Sequence, residues 1–211
     1  MKMKKTIFVL SLCALLTIQL HAQSFEGTIT WRSPDASGKG DASLVLKVKG
    51  KDIITVINGG MMNGVEMWFM NNDTKIMRVM RPQKMFAVVP PEAIAAAAKS
   101  VEVTKFVKTA ETTKILRYTC VKYTGEMKQN GVTTNVSIWT TMEIKDEQKV
   151  LAHQPDPFAN PKLPEGVDGV PLKIEKTNPK GTTVMEVTDV KLEKLSDDLF
   201  KLPADFKEVG K

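Results

Sequence analysis

The chain has 211 residues, of which 26% are charged and 42% are hydrophobic, and it carries a formal net charge of +6. Its lysines and arginines are spread along the sequence and do not alternate with aromatic residues, a pattern that disfavours a nucleic-acid-binding surface. Two cysteines and two histidines leave few side chains for zinc binding or thiol catalysis.

The first 22 residues have the order of a secretory signal peptide, with lysines first, then an apolar run over residues 7–18, then Ala22. The run is shorter than the roughly twenty residues of a transmembrane helix. We therefore expect cleavage after Ala22 and export to the periplasm or the extracellular space. A lipoprotein is disfavoured because Cys13 follows Leu12 inside the apolar run. Residues 23–211 would remain as one domain with 27 basic and 24 acidic residues, and no later segment is apolar enough to span a membrane.

Apolar and polar residues alternate through most of the remaining chain, which predicts β-strands with one buried face. Short turns rich in Asn, Gly and Pro separate them. Ten or eleven strands in an antiparallel meander exceed what an open sheet usually holds without curling. The predicted strands are residues 25–31, 43–49, 52–57, 66–70, 75–81, 85–89, 101–107, 113–125, 136–144, 171–176 and 182–195.

Three segments depart from this rhythm. Residues 90–99 begin with proline and an acid, continue with four alanines and end with lysine, which predicts a short helix that packs on the sheet or covers an opening. Residues 154–171 contain five prolines, which predicts a long irregular connection or lid. Residues 196–200 predict one capped helical turn.

Seven methionines lie between Met61 and Met85, together with Trp68, Phe69 and Phe86. On the predicted strand 66–70 both faces are partly apolar, so one face would meet the core and the other a cavity or a cover. Methionine side chains suit variable apolar ligands, but they also fill irregular cores, and the sequence leaves both interpretations open. Copper binding is disfavoured because paired histidines or cysteines are missing.

Cys120 has no partner cysteine once the signal peptide is removed. Strand 113–125 would place Leu116, Tyr118 and Cys120 on one face, which favours a buried thiol. A reactive thiol that uses His153, or an intermolecular disulfide, remains an alternative. The sequence has no phosphate loop, dinucleotide fingerprint, zinc-ligand spacing or nucleophile elbow. We therefore predict a protein that is not an enzyme and has no catalytic residues, cofactor or metal, although carboxylate acid–base chemistry stays an alternative.

Several short motifs in chain order resemble a bacterial exported family, domain of unknown function 4412, which is itself similar to the LolA and LppX envelope carriers. The motifs are residues 25–29, Arg81-Pro82, Met85-Phe86, 113–120, Ile138-Trp139, 169–172 and 199–203. The resemblance implies a mainly β (α+β) fold, in which a strongly curved antiparallel sheet forms an incomplete barrel around short helices and an apolar cavity for acyl chains.

From this resemblance we expect a non-enzymatic envelope protein that binds a lipid, a lipoprotein acyl chain or another hydrophobic ligand. The alternative is an interaction or structural module on the same scaffold, with a filled core and an envelope protein as its partner. The predicted cavity lining is Met67, Phe69, Met77, Met80 and Phe86.

Overall fold

The computed structural model describes residues 24–34, 41–71, 75–146, 149–151 and 163–210. Within these ranges the chain forms one α-helix, three short 3-10 helices (Gly60–Met62, Arg81–Gln83 and Asp197–Phe200) and thirteen strands. The helix, α1, is Pro91–Lys99. The strands are β1 Gly27–Pro34, β2 Asp41–Lys49, β3 Asp52–Asn58, β4 Val65–Met70, β5 Lys75–Met80, β6 Met85–Val88, β7 Val101–Val103, β8 Val107–Ile115, β9 Tyr118–Gln129, β10 Val132–Thr141, β11 Val170–Asn178, β12 Gly181–Leu192 and β13 Lys207–Glu208.

All thirteen strands belong to one curved sheet that does not close. From one edge the order is β13, β6, β5, β4, β3, β2, β1, β12, β11, β10 and β9, and both β7 and β8 then pair with β9. Strand β13 is parallel to β6, whereas the other neighbours are antiparallel, as expected when short turns join successive strands. The predicted fold class, a curved antiparallel sheet forming an incomplete barrel, is confirmed.

The main core covers the inner face of this sheet. Ile76 of β5 and Cys120 of β9 belong to the same buried cluster although their strands lie far apart in the order, so the sheet curves around this cluster. Trp31, Ile138 and Leu172 are among its most deeply buried members. Helix α1 connects β6 with β7 and packs Ile94 against the cluster. Because β6 and β7 lie near opposite edges of the strand order, the helix connects distant parts of the open sheet.

A second apolar cluster lies on the outer face, on β3 to β5. Its buried members are Ile54, Trp68, Met77 and Val79. Residues 193–210, the C-terminal strap, cross this face and cover the cluster with Phe200, Leu202 and Phe206. The strap begins with the predicted capped turn, which is confirmed because Ser196 Oγ accepts a hydrogen bond from the Asp198 amide at 3.3 Å.

Two strand predictions are wrong in detail. Residues 113–125 are a hairpin, because β8 ends at Ile115, β9 starts at Tyr118, and Leu116 turns the chain with a φ of 54°. Residues 101–107 do not form one strand, because β7 stops at Val103 and the Phe106 side chain packs onto Gly125. The split of residues 113–125 into β8 and β9, together with the unpredicted β13, raises the strand number to thirteen from the predicted ten or eleven. The helix predicted at residues 90–99 is confirmed.

The predicted signal peptide at residues 1–22, His153 and most of the proline-rich connection lie outside the described residues. Residues 163–169 of that connection contain no strand or helix, but its last two residues, 170 and 171, already belong to β11. Among the described residues, no helix has the length and apolarity that a membrane crossing requires.

Candidate hydrophobic ligand site

A pocket of about 400 Å³ opens at one rim of the inner face, and we call it the rim pocket. It forms where the start of β1, the β8–β9 turn, the segment after β10 and the end of β12 meet. Sites for small molecules typically enclose about 300–1,000 Å³. The residues that line it are Phe25, Arg117, Tyr118, Glu143, Ile144, Lys145 and Leu192.

The floor of the rim pocket is part of the protein core. Phe25, Tyr118 and Ile144 are buried and belong to the inner cluster. Leu192 also lies on the inner face, since it pairs with Gly27 at the end of β12, yet its surface is 66% exposed. An exposed leucine on a core-facing strand position indicates that the core is uncovered at this point.

Two backbone amides hold the walls of the pocket in place. The Phe25 amide donates to the Lys145 carbonyl at 2.8 Å, and the Thr119 amide donates to Glu143 Oε1 at 2.9 Å. These bonds tie the segment after β10 to the starts of β1 and β9. The walls of the pocket are therefore held together by hydrogen bonds that are already present before a ligand binds.

Two basic side chains stand at the pocket mouth. The Arg117 guanidinium lies 5.1 Å from the centre of the Tyr118 ring, and its Nη2 donates to the Tyr118 hydroxyl at 2.9 Å. Lys145, in the segment after β10, also lines the pocket and is exposed. The site thus combines an apolar floor with a cationic rim, an arrangement that suits an amphiphile.

A second pocket of about 270 Å³ shares Ile144 with the first. Met142 lines it and is 70% exposed. Its wall is rigid because the Asp146 carboxylate accepts hydrogen bonds from the Val150 and Leu151 amides at 2.8 and 2.7 Å. The two pockets therefore lie on either side of residues 142–146.

A family model described as "Domain of unknown function (DUF4412)" matches residues 25–206. The chain belongs to this family. The family resemblance inferred from the sequence is thereby confirmed. The chain is also similar to the crystal structure of Mycobacterium tuberculosis lipoprotein LppX, with 9% identity, 80% of this chain and 90% of that chain covered, and a TM-score of 0.36. No curated protein matches the chain.

The five residues predicted to line a cavity in this DUF4412 domain lie on both faces of the sheet. Met67 and Phe69 are buried in the inner cluster. Met80 lies on the same face, because it is four residues after Ile76 on β5 and Ile76 belongs to this cluster. Met77 and Phe86 lie in the outer cluster under the C-terminal strap. None of the five lines the rim pocket, and their role as a ligand lining stays a prediction.

Cys120 is buried in the DUF4412 core, as the favoured interpretation expected. The side chain is 0% exposed, and its Sγ lies 3.8 Å from the Tyr118 carbonyl oxygen. Burial in the core, with smaller effects of the Glu143 and Glu186 carboxylates, raises the pKa of the thiol from 9.0 to about 11. A thiol of this kind is protonated at neutral pH and is a poor nucleophile.

In the part of the chain that the structure describes, no group of three or more histidine, cysteine, aspartate or glutamate side chains is placed to hold a metal ion.

The rim pocket could not be found by strict alternation in the sequence. Val187 and Leu192 differ in parity, so alternation would place them on opposite faces. A bulge in β12 opposite Thr30 and Trp31 shifts the register, and both residues reach the inner face. Alternation also could not place Arg117 at the pocket, because it predicted this residue inside strand 113–125, whereas Arg117 occupies a hairpin turn.

Proposed function

We propose that this DUF4412 protein is an exported, non-enzymatic protein of the cell envelope. It binds the acyl chain of a lipid or lipoprotein, or another hydrophobic ligand, on the inner side of its curved sheet. The observation that carries the proposal is a pocket of about 400 Å³ whose floor is the core itself and whose mouth exposes Leu192.

The energetics favour an acyl chain at this position. Each methylene that moves from water to an apolar surface gains about 0.8 kcal/mol. Six methylenes would gain roughly 5 kcal/mol before the entropic costs of binding are subtracted. A surface ion pair contributes at most about 1 kcal/mol, so apolar contact would supply most of the affinity and no catalytic residue is required.

A longer acyl chain would extend into the protein along the part of the inner face that carries methionines. Met67, Phe69 and Met80 share that face with the residues of the pocket floor. Methionine side chains repack at low cost, so a ligand would displace them more easily than branched residues. Met77 and Phe86 would take no part in this movement, since they lie under the strap.

The interaction-module alternative is supported by a different observation. Met67 and Phe69 are already buried, which is the filled inner face that this alternative expects. Under it, the envelope partner would bind an outer surface, and the rim pocket would hold no ligand. The two functions therefore differ in whether an amphiphile occupies the pocket.

The deciding experiment is native mass spectrometry of the full chain, expressed with its export signal and purified without delipidation. We expect a copurifying acyl ligand, or uptake of a fluorescent fatty acid by the purified protein. The variant Leu192→Glu places a negative charge at the pocket mouth and should reduce this uptake at least tenfold, because the acyl chain would have to displace water from that charge. The substituted position is exposed, so the fold should survive.

The matched control is Val132→Glu at the start of β10. Val132 is also exposed, but it lies about 30 Å along the strand from the pocket end of β10. Equal uptake by the two variants would contradict the rim pocket as the site. Absence of any bound or acquired lipid in the unchanged protein would favour the interaction module.

A further inference from the structure

We infer that the rim pocket selects amphiphiles whose head group is an anionic oxygen acid, a carboxylate or a phosphate, held between Arg117 and Lys145. This inference rests on the proposed function and adds the charge of the ligand to it. The apolar tail would lie on Phe25, Ile144 and Leu192, the three lining residues whose side chains carry no polar group.

The charge of the pocket mouth supports an anionic head. Arg117, Lys145 and Glu143 are the charged residues of the lining, which leaves one positive charge in excess. Glu143 already accepts a hydrogen bond from the Thr119 amide, so its charge is partly compensated. Among the residues that the structure describes, neither Arg117 nor Lys145 forms an ion pair with a carboxylate.

The orientation of Arg117 supports recognition of oxygen acids in particular. A guanidinium carries five N–H donors in a planar fork that matches a carboxylate or a phosphate. One donor is used by the Tyr118 hydroxyl at 2.9 Å, and contact with the Tyr118 ring limits the rotation of the group. The remaining donors stay available at the mouth. Lys145 adds a point charge that needs no fixed direction.

Both cations are exposed, so we expect selectivity and not high affinity from them. The tail would determine how tightly the amphiphile binds, and the head would change that affinity by about fivefold, which corresponds to roughly 1 kcal/mol. Added salt should reduce this factor, because exposed charges are screened. The contribution of the tail should be insensitive to salt.

The test compares ligands that share one tail and differ in the head. Dodecanoate, dodecyl phosphate and dodecyltrimethylammonium, each below its micelle concentration, and dodecanol below its solubility limit would displace the neutral fluorescent probe N-phenyl-1-naphthylamine from the full chain. We expect the two anions to displace it at about fivefold lower concentration than dodecanol. The double variant Arg117→Gln/Lys145→Gln should lose this preference, so that the anions and dodecanol displace the probe at similar concentrations.

The control variant is Lys180→Gln, which removes an exposed lysine at the other end of β12 and should keep the preference. Equal displacement by dodecanol and the anions, or a preference for the ammonium, would overturn this inference but leave the proposed function standing. If no amphiphile displaces the probe, the proposed function itself fails.

The anionic head could come from a free fatty acid or from a membrane lipid. Flotation with phosphatidylcholine vesicles, with and without phosphatidylglycerol, followed by native mass spectrometry of the protein, distinguishes these sources. Phosphatidylglycerol bound to the recovered protein supports a membrane source, and dodecanoate displacement without vesicle lipid supports a free acid. Flotation with anionic vesicles in the absence of displacement by soluble anions would place anion recognition on the outer surface and overturn the inference.

Discussion

The ammonium group of Lys122 lies 5.3 Å from the centre of the Trp139 ring. Lys173, on the strand on the other side of β10, places its ammonium 5.2 Å from the same ring. Each lysine also binds a carboxylate, Lys122 to Glu111 at 3.0 Å and Lys173 to Glu186 at 3.2 Å. One row of side chains therefore connects five adjacent strands, from β8 to β12.

We expect Trp139→Leu to lower the free energy of unfolding by about 1–3 kcal/mol, because two cation–π contacts and part of the ring's apolar contact are lost. Urea denaturation measures this change. In a double-mutant cycle with Lys173→Met, the coupling should be about 0.5–1 kcal/mol. Strictly additive effects would contradict a direct contact between the lysine and the ring.

The buried Glu66 carboxylate should stabilise the protein by accepting hydrogen bonds on the outer face of the sheet. It accepts a hydrogen bond from Trp68 Nε1 at 2.7 Å and another from Arg81 Nε. Glu66→Leu leaves the buried indole N–H without an acceptor and should cost about 2–3 kcal/mol. Glu66→Gln preserves a carbonyl acceptor and should cost less. Equal midpoints for the two variants in urea denaturation would contradict this assignment.

Replacing Gly125 by any larger residue should destabilise the protein, because the Phe106 ring occupies the space beside it. A Cβ atom at position 125 would lie 2.5 Å from the Phe106 ring, so Gly125→Ala must displace the ring and should cost about 1–3 kcal/mol. Adding Phe106→Leu should recover part of this loss in thermal denaturation. The comparison variant is Gly131→Ala, where a Cβ meets open space but φ is +77°, and there the second substitution should recover nothing.

The buried thiol should make the protein less stable in alkaline solution. The pKa of Cys120 is raised from 9.0 to about 11 by burial, so between these pH values the unfolded chain loses the thiol proton while the folded protein keeps it. Stability should therefore fall as pH rises through this window. Urea midpoints measured from pH 8 to 11 should fall more steeply for the unchanged protein than for Cys120→Ala. Parallel curves would show that the thiol does not contribute.

Two ion pairs at the surface should hold the C-terminal strap against the sheet. Asp197 lies 2.5 Å from Lys49, and Asp205 lies 2.8 Å from Lys84. Hydrogen bonds from these lysines lower the pKa of both carboxyls from 3.8. Their stabilisation should be complete above pH 3.8 and be lost as the pH falls below it.

At neutral pH, the double variant Asp197→Asn/Asp205→Asn should imitate the acid state of the strap. We expect faster proteolysis within residues 193–210, detected by mass spectrometry of the fragments. Asp189→Asn removes an exposed ion pair with Lys191 elsewhere on β12 and serves as the control. A double variant cleaved no faster than this control would contradict the role of the two pairs.

Local patterns in the sequence predicted much of this architecture. The period-two pattern and the short turns predicted an antiparallel meander, since each strand must bury one row of side chains, and the family resemblance implied that the sheet curves into an incomplete barrel. The segment around Ala95 predicted α1, and Cys120 was correctly expected in the core. The motifs spread along the chain identified the family. These features depend on neighbouring residues, so a single sequence contains them.

The tertiary structure decided which side chains meet. One extra residue in β12 brings Leu192 to the inner face, and one tight turn at Leu116 moves Arg117 to the pocket mouth. Alternation also could not assign Met67 to the inner face and Met77 to the strap side, because both faces of β4 and β5 are apolar. Strand register and bulges depend on partners distant in the chain, and they determine where the rim pocket forms.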